Sequence, residues 1–296
     1  MTDFLTYLGT LSLGGAVVIL LLVLSSLLTR SRYAARWRCW AWLLLCLRLA
    51  FPLPLPTLQS EAIPAPIQLP APSDQVIYTP APVPSPPTAA NSSPEPPAQS
   101  PSPTLPVQPE QNQPVQRTAF TLSQLLFVLW AAVAAVILLW NLWGHLRFSF
   151  YLRRWSTPVE DKETLELFWQ LGEQLHLRRL PRLVTCQGLS VPMLAGVFRP
   201  TLLLPQQPLL NDQLRYSLLH ELTHYRRRDI LFKSLGLWVT ALHWFNPTVW
   251  LMARYIERDT ELSCDDAALR QLPVEEHAAY GRTILAAVEH LKEARA

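Results

Sequence analysis

The residue pattern HExxH at positions 220–224 is the feature of this sequence with the clearest chemistry. His220 and His224 lie in Asn211–Arg228, a stretch without proline or glycine that predicts one helix. Residues four apart share a helix face, with about 5–6 Å between their Cβ atoms. The two imidazoles can therefore close on one metal ion, and Glu221 is placed to act as general base on a water activated there.

The same pattern can arise by chance, since histidine and glutamate are common on solvated helix faces. The apolar neighbours of the motif, among them Leu218, Leu219 and Leu222, indicate instead that one side of the helix is buried. An acidic helical segment downstream offers a further metal ligand. Together these features favour a hydrolase with one zinc ion over an incidental helix.

A third protein ligand is expected, because catalytic zinc sites commonly use three and leave one position for water. The nearby acidic residues are Glu257, Asp259, Glu261, Asp265 and Asp266. Glu261 and Asp265 are four apart, so a helix places both on one face. This spacing favours Glu261 as the ligand and Asp265 as a carboxylate that orients a ligand imidazole. The alternative for this segment, taken alone, is a solvated acidic face.

Long apolar runs explain why 50% of the 296 residues are hydrophobic. Runs at 5–28, 40–55 and 120–143 predict membrane spans, the second of them short. Arginines follow the first and third runs, at Arg30–Arg38 and Arg147–Arg154. The positive-inside rule places both arginine clusters in the cytoplasm and the N-terminus outside.

The expected domain organisation follows from these runs. Residues 1–56 hold two N-terminal transmembrane helices joined by a cytosolic basic loop, and residues 118–146 hold the third. Between them, residues 57–117 are rich in proline and are expected to form a disordered extracytoplasmic loop. Residues 147–296 are expected to form the zinc metallopeptidase domain. Arg48, inside the second run, needs an intramembrane partner or must reach towards the outer surface.

The region after residue 150 has a mixed α+β pattern with a second apolar stretch inside it. Short strands are expected at Arg182–Cys186 and Thr201–Leu204. The stretch 230–252 is apolar but is interrupted at Asn246-Pro247. It could be a fourth span or a membrane-associated hairpin, and the hairpin is favoured because each half is too short to cross.

Peptide substrates of proteases are commonly bound extended, so an edge strand near the motif could pair with their main chain. Thr201–Leu204 or the segment Met193–Val197 could offer this edge. An interior strand would have no free edge, which is the alternative. The residues expected to bind substrate are Met193, Gly196, Thr201 and Leu203.

Composition excludes some other classes. The formal net charge is +3, and no basic stripe interleaved with aromatic residues is present, so direct nucleic-acid binding is not expected. The four cysteines include no CxxC pair, and no disulfide framework is implied.

Several strings in the sequence resemble the BlaR/MecR-type membrane metallopeptidases. They are LHELTHYRRRD at 219–229, HWFNP at 243–247 and ELSCDDA at 261–267, with SVP at 190–192 and GVFRP at 196–200. The resemblance extends over essentially the whole chain. It implies an α-helical integral membrane protein with a cytosolic, gluzincin-like α+β zinc protease domain. By residue match, His220, His224 and Glu261 would bind zinc, and Glu221 would be the catalytic base.

The resemblance also implies a partner, since the best-known members respond to an external signal by inactivating a DNA-binding repressor. A cytosolic protein substrate, such as a winged-helix repressor, or the chain itself is therefore expected. The sequence shows no penicillin-binding sensor domain after the protease region, so β-lactam sensing is not expected. The alternatives are a quality-control protease of the bacterial cytoplasmic membrane and a non-catalytic scaffold with structural zinc. The sequence leaves open whether the chain forms a homodimer.

Overall fold

The computed structural model describes residues 2–28, 33–51 and 121–293. The predicted extracytoplasmic loop at 57–117 lies outside these ranges, as do Arg30 and Arg32 of the first arginine cluster. Three helices come first: α1 is Thr2–Leu28, α2 is Tyr33–Ala50 and α3 is Leu122–Trp155. The rest of the described chain is a small four-stranded sheet and five further α-helices.

Two of these helices, α1 and α3, are long and apolar enough to cross a membrane. The 18-residue α2 is not among them, and it contains Arg36, Arg38 and Arg48. The helix α3 continues nine residues past the predicted end of the third span at 146, because 147–155 contains no proline or glycine. It ends where Ser156 adopts an extended backbone.

The predicted turn at Asn246-Pro247 is confirmed. The helices on either side are α6, Asp229–Leu242, and α7, Pro247–Leu269. Asn246 caps α7 by accepting a hydrogen bond from the backbone N–H of Thr248, and Pro247 occupies the first turn, where no N–H is needed. The Asn246 amide also donates to the Ser12 carbonyl of α1 at 3.0 Å, which ties the turn to the first helix. The helix α7 runs without a break from this turn into the acidic segment.

The sheet has the strand order β1-β2-β4-β3. Its strands are β1 (Ser156–Pro158), β2 (Arg182–Cys186), β3 (Met193–Ala195) and β4 (Thr201–Pro205). The strand β4 is parallel to β2 on one side and antiparallel to β3 on the other. The prediction that Thr201–Leu204 offers a free edge is therefore wrong, because both sides of β4 are paired. Among the described strands the edges are β1 and β3, and β3 lies in the alternative segment.

The side chains of β4 alternate between two faces of the sheet, as strand geometry requires. Leu202 and Leu204 pack with Leu218, Leu219 and Leu222 of the helix α5, Asn211–Arg227. The remaining helices around this core are α4, Lys162–Gln174, and α8, His277–Glu293, which follows a 3₁₀ turn at 274–276. Leu203 faces the opposite side, in a separate cluster with Val184 and Ala195, and is fully buried.

A second core joins α1, α2, α6 and α7. It includes Ile19, Trp42, Val239, Met252 and Ile256. Polar contacts cross it as well. The Arg48 guanidinium donates a hydrogen bond to the Tyr7 hydroxyl at 2.8 Å, so the structure favours the intramembrane-partner reading of Arg48.

The strongest polar contact between α2 and α7 is a buried ion pair. The Arg38 guanidinium donates to both carboxylate oxygens of Asp259, at 3.1 and 2.9 Å. The Trp42 indole N–H donates to the same carboxylate at 2.9 Å. Asp259 is only 1% exposed, so a carboxylate there needs these donors to offset the loss of water. The packing of α7 thus depends on α2.

Candidate metal centre

The helix α5 presents both histidines of the HExxH pattern to the interior. Leu218, Leu219 and Leu222 are fully buried and fix the rotation of the helix against the sheet. His220 and His224 are then 9% and 8% exposed. This burial excludes the solvated-face reading of the motif.

Three atoms from two helices converge at this point. The Nε2 atoms of His220 and His224 are 3.1 Å apart. Oε2 of Glu261, on α7, lies 3.2 Å from Nε2 of His224 and 3.6 Å from Nε2 of His220. Tetrahedral zinc has ligand bonds of about 2.0–2.1 Å, which places neighbouring ligand atoms about 3.3 Å apart. The three side chains therefore fit one tetrahedral ion with its fourth position open.

Cys264 provides a second arrangement that could hold a metal. One ligand atom from each of His220, His224 and Cys264 lies within 4.8 Å of the others. The Cys264 thiol contacts the His220 carbonyl oxygen at 3.6 Å, so its sulfur already has an acceptor on the α5 backbone. Glu261 places its oxygen closer to both imidazoles, and we regard it as the better third ligand.

A carboxylate contacts Nδ1 of each imidazole and fixes the orientation of the ring. Nδ1 of His224 lies 2.7 Å from Oδ2 of Asp229. Nδ1 of His220 lies 3.2 Å from Oδ1 of Asp265 and 2.9 Å from the hydroxyl of Tyr280, which itself donates to Asp265. Such contacts fix the tautomer, so that Nε2 is free to bind a metal.

The position of Asp229 depends on an abrupt change of direction after α5. Arg228 has φ of 57° and ψ of 37°, a left-handed conformation that ends α5 and starts α6 at Asp229. Arg227 then donates to Asp229 at 3.0 Å and to Ser263 Oγ at 2.7 Å. Non-glycine residues rarely adopt this conformation, so it carries a cost that the contacts of Asp229 offset.

Lys233 gives the two carboxylate oxygens of Glu261 different partners. Its ammonium group donates to Oε1 at 2.9 Å, which leaves Oε2 for the imidazole side. Burial alone would raise the pKa of Glu261, but hydrogen bonds from the two histidines and the charge of Lys233 hold it well below its usual range. Glu261 is thus an anion, as a carboxylate that binds a metal must be.

The surroundings favour positive charge where the imidazoles meet. Burial alone would lower the pKa of His220, but the hydrogen bonds with Asp265 and Glu261 outweigh it and raise the pKa to about 10. The same balance, with Asp229 and Glu261, raises the pKa of His224. A bound metal cation would replace the Nε2 protons of these imidazoles, and the same carboxylates would stabilise its charge.

Glu221 lies between the metal ligands and the edge strand. Its Oε2 accepts a hydrogen bond from the backbone N–H of Leu194 in β3 at 2.7 Å. Burial raises the pKa of Glu221, and the nearby charges of His220 and His224 oppose that rise. A carboxylate with a raised pKa holds a proton more readily, which suits a group that must first accept and then give up a proton.

The structure brings together most of the residues singled out in the sequence. Five of them lie together at the site: His220, Glu221, His224, Glu261 and Asp265. Met193 is in β3, next to Leu194, whose backbone N–H donates to Glu221. Thr201 and Leu203 are on interior β4 and are not at the site. Gly196 has φ of +89°, and a Cβ there would lie 2.6 Å from the Arg199 carbonyl oxygen. The conformation of the β3–β4 turn therefore requires glycine at this position.

Three residues of the site were missed by the sequence reasoning: Asp229, Lys233 and Tyr280. The predicted helix ends at Arg228, but nothing in the HExxH spacing indicates the left-handed turn there that brings Asp229 back to His224. Lys233 is a single basic residue within the apolar stretch 230–252, and no spacing rule links it to Glu261. Tyr280 comes from a helix that joins the site through tertiary packing alone.

We predict unequal effects from removing the two supporting carboxylates. Such losses typically weaken metal binding about 10–100-fold. Asp265→Ala leaves the Tyr280 hydroxyl on His220, so we expect a loss near 10-fold. Asp229→Ala removes the carboxylate on Nδ1 of His224, so we expect a loss near 100-fold.

Competition of the purified protein with a zinc chelator measures both effects, with Asp266→Ala as the matched control. Asp266 pairs with Arg270 at 2.8 Å, away from the imidazoles, and its loss should leave zinc affinity unchanged. Complete metal loss in Asp265→Ala would show that Asp265 is itself a ligand.

Comparison with known proteins places this geometry in a family. The sequence matches the family described as BlaR1 peptidase M56 over residues 6–295. It is 32% identical over 161 residues to the regulatory protein BlaR1 of Bacillus licheniformis, covering 54% of this chain and 27% of that protein. It is 33% identical over 97 residues to the methicillin resistance mecR1 protein of Staphylococcus aureus, covering 32% of this chain and 17% of that protein. The chain thus spans about a quarter or less of the length of these relatives. It belongs to the BlaR1 peptidase M56 family of membrane metallopeptidases.

Proposed function

We propose that this chain is a zinc endopeptidase of the gluzincin type, held by several helices in a bacterial cytoplasmic membrane. The observation that carries the proposal is the spacing of 3.1–3.6 Å among Nε2 of His220, Nε2 of His224 and Oε2 of Glu261. That spacing fits catalytic zinc, with three protein ligands and an open position. When bound, the ion would polarise a peptide carbonyl and acidify water.

The residues of the chain supply the remaining chemistry. Glu221 takes the proton from the attacking water and returns it to the leaving amine, which matches its raised pKa. Asp229 and Asp265 hold the imidazoles in the tautomer that presents Nε2. Lys233 holds Glu261 in place through the other oxygen.

We further propose that the peptidase domain faces the cytosol, with the N-terminus and the segment 57–117 on the outer side. Support comes from arginines after the first and third apolar runs, at Arg30–Arg38 and Arg147–Arg154. The names of the relatives, a regulatory protein and a resistance protein, support signal-controlled proteolysis. The proposed substrate is a cytosolic repressor, with a winged-helix protein as the expected type, or the chain itself.

A substrate trap tests both the activity and its orientation. Cells that carry Glu221→Gln should accumulate one or a few uncut proteins that the unchanged chain removes, and these should be cytosolic or be this chain itself. Quantitative comparison of protein fragments in the two strains is the measurement. Many uncut membrane proteins would indicate a quality-control protease instead, and identical fragment patterns would indicate a scaffold without peptidase activity.

The edge strand β3 is the proposed platform for the substrate. Because the Leu194 N–H donates to Glu221, it does not donate to β4, and the unpaired side of β3 faces the catalytic carboxylate. A peptide added along that side would pass directly beside Glu221. Main-chain pairing would give affinity with modest demands on side chains.

Backbone methylation of a cleavable peptide tests this platform without changing the protein. Methyl groups on amides that face β3 should raise KM about 3–10-fold each, since one hydrogen bond contributes about 0.5–1.5 kcal/mol. Methyl groups on the alternate amides should have little effect, because strand residues alternate in direction. Equal effects at successive positions would rule out strand addition.

A further inference from the structure

A cleft beside the metal centre is lined mostly by side chains that have no role in the proposed peptide hydrolysis. Its volume is about 420 Å³, and it lies between the start of α2, the α5–α6 junction and the end of α7. Four arginines line it: Arg36, Arg226, Arg227 and Arg270. Two carboxylates line it, those of Asp229 and Asp266.

The charges in the cleft do not balance. Arg227 pairs with Asp229, and Arg270 pairs with Asp266. Arg36 and Arg226 are exposed, and neither forms an ion pair with any residue in the described ranges. Two guanidinium groups are therefore available to an anion. Guanidinium matches phosphate oxygens with paired donors.

The cleft also has an apolar part. It consists of Trp40 and Leu43, on the same face of α2 as Arg36, and of Phe232 in α6, and Trp40 is 61% exposed. Along α6, Leu231 and Trp238 are also 46% and 44% exposed, as expected of a hairpin that contacts lipid. Tryptophan is typical of the boundary between headgroups and acyl chains. A cleft that combines guanidinium groups with an apolar part containing tryptophan suits that boundary.

We propose that this cleft binds an anionic phospholipid. Its phosphate contacts Arg36 and Arg226, and its acyl chains lie along Trp40, Leu43 and Phe232. Charge complementarity selects an anionic over a neutral headgroup, and the apolar part selects a lipid over a free anion. Basic pockets between membrane helices on the cytoplasmic side recognise headgroups in this way.

The test uses the full chain, purified in detergent and stripped of lipid. Dioleoyl phosphatidylglycerol is added, and bound lipid is counted by native mass spectrometry, with dioleoyl phosphatidylcholine as the neutral comparison. We expect saturable binding of phosphatidylglycerol alone. The double variant Arg36→Gln/Arg226→Gln should bind it about 30-fold more weakly, at about a factor of five for each arginine. The single variant Arg226→Gln should show about half of that effect on a logarithmic scale.

The matched control is Arg147→Gln/Arg153→Gln, which removes equal charge from exposed arginines of α3. It should bind phosphatidylglycerol like the unchanged chain; an equal loss would show general attraction to anionic surfaces and overturn the proposal. Trp40→Ala should weaken lipid binding although the charge is the same. If inorganic phosphate displaces the lipid, or phosphatidylcholine binds equally well, the cleft is not an anionic lipid site. None of these readouts depends on peptidase activity.

Discussion

Replacing Glu221 with glutamine is expected to lower peptide hydrolysis by about 10²–10⁴-fold while zinc content stays the same. Glutamine has the same shape, and its amide oxygen can still accept the Leu194 N–H that Oε2 accepts at 2.7 Å. It cannot take a proton from water at neutral pH. The measurements are cleavage of an internally quenched peptide or of the trapped substrate, and zinc per chain by elemental analysis.

Glu289→Gln provides the control for this prediction. Glu289 is an exposed residue of α8, far along the helix from Tyr280, and its change should leave both activity and zinc unaltered. Cleavage by Glu221→Gln at more than about a tenth of the unchanged rate would remove Glu221 from its role as general base.

Removal of a metal ligand should have the other large effect. His220→Ala, His224→Ala and Glu261→Ala each take away one of the three proposed ligand atoms. We expect each variant to retain little zinc after purification and to lose affinity by more than the roughly 10–100-fold of the supporting carboxylates. Hydrolysis should disappear with the metal.

Cys264→Ala separates the two triads that the geometry allows. If Glu261 is the third ligand, Cys264→Ala keeps zinc and Glu261→Ala loses it. The reverse result would assign the site to His220, His224 and Cys264, whose ligand atoms lie within 4.8 Å. Circular dichroism of each variant controls for unfolding, since Cys264 is fully buried.

Local spacing predicted the parts of this site that depend on a single helix. His220 and His224 share a face of α5, and Glu261 and Asp265 share a face of α7, because the helical repeat alone determines both. The sequence also predicted the turn at Asn246-Pro247, where an asparagine cap and a proline both favour a new helix.

Features that depend on tertiary packing could not be predicted in this way. The left-handed Arg228 is not a glycine, so no residue type signals the break that brings Asp229 to His224. The strand order is another example. The sequence favoured Thr201–Leu204 as an exposed edge, with an interior strand as the alternative, and the pairing of β4 with β2 on one side and β3 on the other makes it interior.

The buried pair of Arg38 and Asp259 limits how far this protein can be shortened. Arg38 is in α2, whereas Asp259 is two positions before Glu261, on the far side of residues 57–117. A fragment that starts at residue 121 would keep the carboxylate and lose both the guanidinium and the Trp42 indole. Isolating one partner of a buried pair costs about 3–5 kcal/mol, a large share of the about 5–15 kcal/mol that stabilises a typical protein. The smallest piece expected to fold around the metal ligands therefore includes α2, either covalently or as a separate polypeptide that reassembles with the rest.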